Sequence, residues 1–362
     1  VKLAHTERLH AELLTWFDAV ARPLPWRATS DPYRIWVSEV MLQQTQVDTV
    51  LRYYDRFLAR FPTVHALAAA PDEDVKALWS GLGFYRRARN LHLGAKQVVA
   101  AHGGVVPRDP VALGELPGLG RYTVGAVLSI AHDAPLPLVD GNVARVLARW
   151  FRLPGDPTAG KTLKVLWSHA EALVPATRAG AWNQALMELG ATVCRPQQPR
   201  CATCPAAFAC QARTKGDVEK FPEPRRRAKV AAVRRVALCL VREDGAFVLA
   251  RRPEDGLLGG LWELPSVELA PRERPAPAAT RLAAALGLGR LRVVHVGEAE
   301  HQFTHRHWTT DVFRAEPAEG ARPALAGRET RWAHARDLES LGVPTASRKV
   351  LQAAGVLGAP AG

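Results

Sequence analysis

From the N-terminus to about residue 192, apolar positions recur at three- and four-residue spacing, in runs broken every 10 to 18 residues by Pro, Gly or Asp. This pattern predicts a domain made of helices, and no strand pattern competes with it. One helix is expected to open at Asp31-Pro32, with Asp as N-cap and Pro in the first helical position, and to continue through residues 33–47. It is apolar almost all round, as a buried helix is. A short helix ending near Glu115 and a longer one running to about Ala131 flank the sequence Leu116-Pro-Gly-Leu-Gly120, whose glycines permit a tight turn. Asp140 opens a further helix. From Val233 the pattern changes to short runs rich in β-branched residues. Residues 236–241 and 247–250 around Glu243-Asp244-Gly245 predict a hairpin, and 291–296, 308–313 and 330–333 predict further strands. Helices are expected at 278–286 and 346–354, and 271–279 reads as a Pro/Ala-rich loop. The expected fold class is therefore an all-α domain over 1–192, a cysteine loop over 193–214, a basic linker over 215–232 and a mixed α/β domain over 233–362.

Composition narrows the function classes. The 362 residues include 48% hydrophobic and 23% charged side chains, which suits folded domains with sizeable cores. A net charge of +13 favours a polyanionic partner, nucleic acid before anionic membrane. No apolar run reaches membrane-spanning length and the N-terminus does not read as a secretion signal, so a reducing, cytoplasmic setting and no membrane partner are expected. The basic stretch with Arg225, Arg226, Arg227 and Lys229 reads as a solvated hinge, with phosphate contact as the second possibility. Cys194, Cys201, Cys204 and Cys210 form a C-x6-C-x2-C-x5-C run. Thiolates this close together in a reducing compartment hold a metal more readily than they form disulfides, and an all-sulfur set suits zinc and an iron–sulfur cluster alike. The fifth cysteine, Cys239, lies in an apolar run and reads as a small buried side chain.

Two carboxylates stand out. Glu39 falls on a largely apolar helix face, where burial would raise its pKa and make it a general acid; the plain alternative is a buried ion pair with Arg27 or Arg34. Asp140, at a helix N-terminus, is expected to stay ionised through helix-end amides and the dipole, and the plain alternative is a simple N-cap. An acid pushed up and a carboxylate pushed down are the pair that breaks a glycosidic bond.

The helix–hairpin–helix turn, the Asp twenty residues later and the cysteine run together resemble the endonuclease III superfamily of DNA glycosylases. Leu24-Pro-Trp-Arg27, the stretch from Trp36 to Gln46, Gly81-Leu-Gly-Phe-Tyr85 and Val139-Asp-Gly-Asn-Val143 are similar to the adenine DNA glycosylases of MutY type within it. The resemblance implies one [4Fe–4S] cluster on the four cysteines. It also implies a monomeric hydrolase that flips adenine, mispaired with 8-oxoguanine or guanine, out of double-stranded DNA and cuts its N-glycosidic bond in base excision repair. Carried over by motif, Glu39 is the general acid, Asp140 the carboxylate facing the sugar, and Tyr122 and Asn142 their supports. Trp26, Arg27 and Gln184 match the adenine pocket. Leu116, Gly118 and Gly120 match the turn that grips the DNA backbone, while Gln44, Thr45, Leu82 and Phe84 match the wedge beside the oxidised guanine. Phe84 stands where tyrosine is usual. Tyr122 replaces the lysine of the lyase-active relatives, so a monofunctional enzyme is implied. Repair or replication proteins are implied as further partners.

In the second half, Leu257-Leu-Gly-Gly-Leu-Trp-Glu-Leu-Pro265 resembles the approach to a Nudix box, without the glutamate-rich helix that would hold Mg²⁺. Gln302-Phe303-Thr304-His305 is similar to the loop with which such Nudix-like domains recognise 8-oxoguanine, with Thr304 in place of serine. His301, His305 and His307 alone also admit a metal reading, which no neighbouring carboxylate supports.

Overall fold

A computed structural model of the chain describes residues 5–224, 230–289 and 291–358. The linker residues Arg225, Arg226, Arg227 and Lys229 lie outside them. The chain forms two units. The first comprises Val1–Ala68 and Leu93–Arg227, the second Ala69–His92 and Ala228–Gly362. The helical periodicity places 69–92 in the first domain, whereas in the structure Ala69–His92 belongs to the second unit.

The helices are α1 (Thr6–Val20), α2 (Pro32–Leu42), α3 (Val47–Arg60), α4 (Val64–Ala69), α5 (Asp72–Leu78), α6 (Arg86–His102), α7 (Pro110–Gly114), α8 (Arg121–His132), α9 (Gly141–Trp150), α10 (Gly160–Leu173), α11 (Ala179–Thr192) and α12 (Gln211–Thr214). In the first unit α11 packs on α1, α8 and α9, and α2 packs on α8 and α3. The core there includes Leu9, Leu13 and Phe17 of α1, Val143, Val146 and Leu147 of α9, and Trp182, Leu186 and Leu189 of α11. Side chains of this size each contribute about 1.5–3 kcal/mol on burial, which is why α9 and α11 are held rigidly enough to carry polar groups between them. Their approach is close: a Cβ added to Gly190 of α11 would lie 2.5 Å from Asn142 Cβ on α9.

The caps anticipated from sequence form. Asp31 accepts from the Tyr33 amide at 2.9 Å, and Asp140 accepts from the Val143 amide at 2.7 Å. The helix predicted through 33–47 ends sooner, at Leu42, and residues 43–46 form a turn before α3. Gln44 there has φ of 57°, a left-handed conformation that an uninterrupted helix would not allow. The hairpin turn is as read: α7 ends at Gly114, Gly118 has φ of 78°, and α8 starts after Gly120. No side chain caps α8, which leaves its first-turn amides for an outside acceptor.

The second unit adds β1 (Ala231–Leu240), β2 (Phe247–Arg251), β3 (Trp262–Glu263), β4 (Ser266–Glu268), α13 (Pro275–Ala285), β5 (Val294–Gln302), β6 (Arg306–Ala315), β7 (Thr330–Ala333) and α14 (Thr345–Ala353). One sheet has the order β4-β1-β6-β5, with β1 and β6 parallel; the other runs β3-β2-β7. The predicted hairpin of 236–241 and 247–250 is thereby corrected: β1 and β2 follow each other through a tight turn but diverge into different sheets, sharing one bridge, Val241 to Phe247. Both are buried on two faces, so each needs a separate cover, supplied by α13 on one core and α14 on the other. The expected loop at 271–279 is partly helical because Pro275 occupies the first position of α13. The predicted strand at 291–296 lies further on, as β5. Among the described residues no helix is long and apolar enough to cross a membrane.

Candidate active site

A cavity of about 550 Å³ in the first unit is lined by Trp26 and Arg27 from the turn before α2, Glu39 from α2, Gln44 and Thr45 from the turn after it, Tyr122 from α8, Asp140 and Asn142 from the start of α9, and Gln184 and Glu188 from α11. The carboxylates, their supports, the expected adenine pocket and two residues of the expected wedge thus face one space. Glu39 is 3% exposed. Burial drives its carboxyl up to about 7, against the pull of the Tyr122 hydroxyl and Arg27. The ion pair weighed for it does not form: Arg27 binds Glu188 at 2.7 Å and Arg34 lies 3.6 Å from Asp31. Instead the Tyr122 hydroxyl donates to Glu39 Oε2 at 2.6 Å. That leaves the second carboxyl oxygen to carry and release a proton. Tyr122 itself is held far above its ordinary pKa by burial and by the two carboxylates, so it remains a donor and not a nucleophile.

Asp140 departs from expectation. Its pKa is raised and not lowered, because burial outweighs the Val143 amide, the Asn142 side chain and the charge of Arg145. Helix-end amides were correctly located but the desolvation cost, which depends on tertiary packing, exceeds them. Asn142 donates through Nδ2 to Asp140 Oδ2 at 3.0 Å and accepts from Arg145 Nη2 through Oδ1 at 2.8 Å. The amide therefore has only one orientation that satisfies both neighbours. Arg145 also donates to the carbonyls of Gly190 and Cys194, at 2.8 and 2.7 Å, and so fixes α9 to α11 and to the cysteine loop.

Glu188, with its partner Arg22, lines the cavity and escaped the sequence reading. Glu188 is 1% exposed; it receives Arg22 Nε at 2.6 Å, Arg22 Nη2 at 2.9 Å and Arg27 Nη2 at 2.7 Å. Burial pushes its carboxyl up, but these two arginines outweigh it and hold the group below its ordinary value. The available signal was a lone carboxylate on the apolar helix α11, the same signal that singled out Glu39. Replacing Glu188 by alanine should cost about 3 kcal/mol of stability, because it leaves two arginines facing each other across a buried gap. Urea denaturation measures this, and loss of the brace on Arg27 should raise KM more than it lowers kcat.

The four run cysteines line a second cavity, in company with Arg149, Arg200 and Arg213. Burial raises the thiols of Cys201, Cys204 and Cys210, that of Cys204 to about 12. Arg149 is almost fully buried; it donates to Cys194 Sγ at 3.3 Å and to the carbonyls of Arg195 and Pro196 at 2.7 and 3.1 Å. Four thiols lining one cavity beside a buried cation are a donor set that suits an anionic thiolate-bound group, although their side chains are not gathered around one point. Among the described residues no three His, Cys, Asp or Glu side chains are arranged for a single metal ion, the histidines 301, 305 and 307 included. Cys239 is buried, with its thiol raised to about 12 by burial, as a core residue.

In the second unit, Leu82 is buried and Phe84 is 45% exposed. Phe84 has φ of 48°. Holding a bulky residue in that region costs on the order of 1–3 kcal/mol, a strain typical of functional loops. Phe303, Thr304 and His305 form the turn between β5 and β6, closed by the Phe303 amide on the Arg306 carbonyl at 2.7 Å. Thr304 and His305 are exposed, while Phe303 packs edge-on against Trp308 with ring centroids 4.7 Å apart. Arg235 lies 3.9 Å over Trp308 and pairs with the buried Glu263 at 3.1 Å.

Residues 37–172 match the family model described as HhH-GPD superfamily base excision DNA repair protein, and 236–353 match that of the NUDIX domain. The adenine DNA glycosylase of Mus musculus is 38% identical, over 97% of this chain and 78% of its own length. The chain belongs to the adenine DNA glycosylases. That of Homo sapiens is 37% identical over 97% of this chain and 74% of its own, and that of Schizosaccharomyces pombe 33% over 93% and 87%. A solved thermostable thymine-DNA glycosylase matches with a TM-score of 0.53 at 31% identity, covering 58% of this glycosylase and 97% of that chain. Endonuclease III in a non-covalent DNA complex shares the fold, with a TM-score of 0.51 at 24% identity over 60% of this chain and 98% of that one. The chain is therefore a base excision repair glycosylase that removes adenine, with a helical catalytic part and a Nudix-like part.

Proposed function

We propose that this enzyme removes adenine paired with 8-oxoguanine or guanine in duplex DNA, by hydrolysis and without strand cleavage. The observation that carries the reading is the single cavity in which Glu39, raised to about 7 by burial, is bonded to Tyr122 and shares its walls with Asp140. Adenine reaches such a cavity only when extruded from the stack. Protonated Glu39 gives its proton to N7 of the base. The bond between C1′ and N9 then breaks, and its electron pair leaves with the adenine. Asp140, oriented by Asn142 and the Val143 amide, faces the positive charge that develops at C1′ until water adds there and loses a proton. The product is an abasic site. The uncapped start of α8, with Leu116, Gly118 and Gly120 before it, suits a backbone phosphate. Gln44, Thr45, Leu82 and Phe84, with Phe303, Thr304 and His305, are the residues proposed to read the partner base. The strained backbone at Gln44 and Phe84 supports that assignment.

For the four cysteines we propose a [4Fe–4S] cluster. It would supply a rigid anchor for the loop, and the Arg149 and Arg145 contacts would carry that rigidity to α9. A strand-cleaving lyase needs an amine at C1′, and Tyr122 offers none. Nucleotide hydrolysis of the Nudix kind needs carboxylates for Mg²⁺ on the helix after the box, and α13 contains no Asp or Glu. The test is a duplex with one adenine opposite 8-oxoguanine, incubated with cluster-replete enzyme and divided before hot alkali. Breakage at that adenine after alkali only is expected; breakage without alkali would reveal a lyase, and none in either half would leave binding without catalysis.

A further inference from the structure

The loop from Gly81 to Phe84 has an uncommon backbone. Gly81 and Gly83 take φ of 104° and 70°, which glycine adopts freely, but Phe84 takes 48° and still turns its ring toward solvent. Something must hold this shape. The Gly83 carbonyl receives two donors, Trp79 Nε1 at 3.1 Å and Arg87 Nη2 at 3.1 Å. The same Arg87 nitrogen donates to the Leu82 carbonyl at 3.2 Å. The Arg87 guanidinium carbon lies 5.4 Å from the centroid of the buried Trp79 ring and 5.4 Å from that of Phe84. One cation thus sits between a buried ring and an exposed one while it ties down the two carbonyls that precede the exposed ring. Burial lowers this guanidinium to about 10, so it remains charged at neutral pH.

We propose that Arg87 is the positioning residue of the Phe84 wedge: it holds the loop in the conformation that delivers the Phe84 ring into the base stack beside the mispair. This rests on the proposed lesion-reading role of Phe84. One nitrogen serves both carbonyls while the planar guanidinium lies by two ring faces, and lysine supplies a point charge without that plane. Arg87 touches no reacting atom; it acts through Phe84.

The test is a double-mutant cycle in the full-length, cluster-replete enzyme with Phe84→Ala, Arg87→Met and the pair combined, and with Arg87→Lys as the milder variant should Arg87→Met not fold. Two readouts are taken: single-turnover adenine release opposite 8-oxoguanine, and the fluorescence of 2-aminopurine placed next to the 8-oxoguanine, which reports local unstacking. Losing charge-assisted bonds to two carbonyls should slow release roughly tenfold in Arg87→Met, with a smaller loss in Arg87→Lys. The 2-aminopurine signal should fall toward that of free duplex in both. In the Phe84→Ala background the Arg87 changes should add little. Multiplicative losses, or a normal 2-aminopurine response in a slowed Arg87 variant, would overturn the proposal and mark Arg87 as a general scaffold residue. Absence of adenine release from the unaltered enzyme would instead remove the functional reading beneath it.

Discussion

Glu39→Gln should slow adenine release by roughly 10²–10⁴-fold, the usual contribution of a positioned general acid, with DNA binding retained. Glutamine keeps the shape and can still accept from the Tyr122 hydroxyl, so what it removes is the transferable proton. The same chemistry gives the pH dependence. Glu39 must be protonated to act, and burial places its pKa at about 7. Single-turnover rates should therefore be highest below pH 7 and fall as pH rises through it. A flat profile from pH 6 to 8.5, or a Glu39→Gln enzyme within tenfold of the original, would remove Glu39 from the role.

With pH, the contribution of Glu39 to stability should fall as activity does, whereas Glu39→Gln should lose activity and gain stability. The ordinary carboxyl value of 4.5 applies in the unfolded chain and about 7 in the native one, so between them the native state binds the extra proton. The contribution of Glu39 to stability is thus fully present below 4.5 and lost as pH rises through 7. At pH 8 the native carboxyl is mostly ionised and its charge is buried, at a cost of up to about 3 kcal/mol that glutamine avoids. Denaturation at pH 5 and pH 8 should show Glu39→Gln gaining stability relative to the parent as pH rises. An acid poised for catalysis is maintained at the expense of the fold.

What could be read in advance follows the range of the forces concerned. Helix spacing, the Asp31 and Asp140 caps and the turn at Gly118 are local, and they stand in the structure where periodicity and spacing placed them. The early end of α2 was hidden because Gln43 to Gln46 are acceptable helix residues; only the left-handed Gln44 marks the turn. Strands β3 and β4 are too short to show alternation, and the split of β1 and β2 between sheets is decided by the long-range partners β6 and β7. At the site, Glu39 was legible because a carboxylate on an apolar helix is conspicuous. Glu188 offered the same signal, but its meaning depends on Arg22, which is 166 positions away. The sign of the Asp140 shift was unreadable for a related reason. Its favourable partners, Asn142, Val143 and Arg145, are within five residues, whereas the burial that overcomes them comes from packing of α9 against distant helices.

That sign makes Asp140→Asn the more searching substitution. Asparagine is as good an N-cap as aspartate and accepts from the Val143 amide, so stability should change by less than about 1 kcal/mol. The other half of the side chain presents a difficulty. Asn142 points its Nδ2 at this position and cannot turn over without losing its bond from Arg145. The new amide would meet donor with donor, and the negative charge is gone. In the free enzyme that charge is costly, since burial raises the Asp140 pKa; when positive charge develops at C1′, the two charges stabilise each other in a site that water does not screen. The interaction is therefore worth most in the transition state, which is where catalysis needs it. Loss of it should lower the single-turnover rate by roughly 10²–10³-fold with little change in DNA affinity, as for other preorganised electrostatic groups. Combined with Glu39→Gln the losses should fall short of their product, because the acid and the carboxylate act on the same bond-breaking step. An Asp140→Asn enzyme that binds mispaired DNA and turns over within tenfold of the parent would show that geometry alone, without the charge, is what Asp140 supplies.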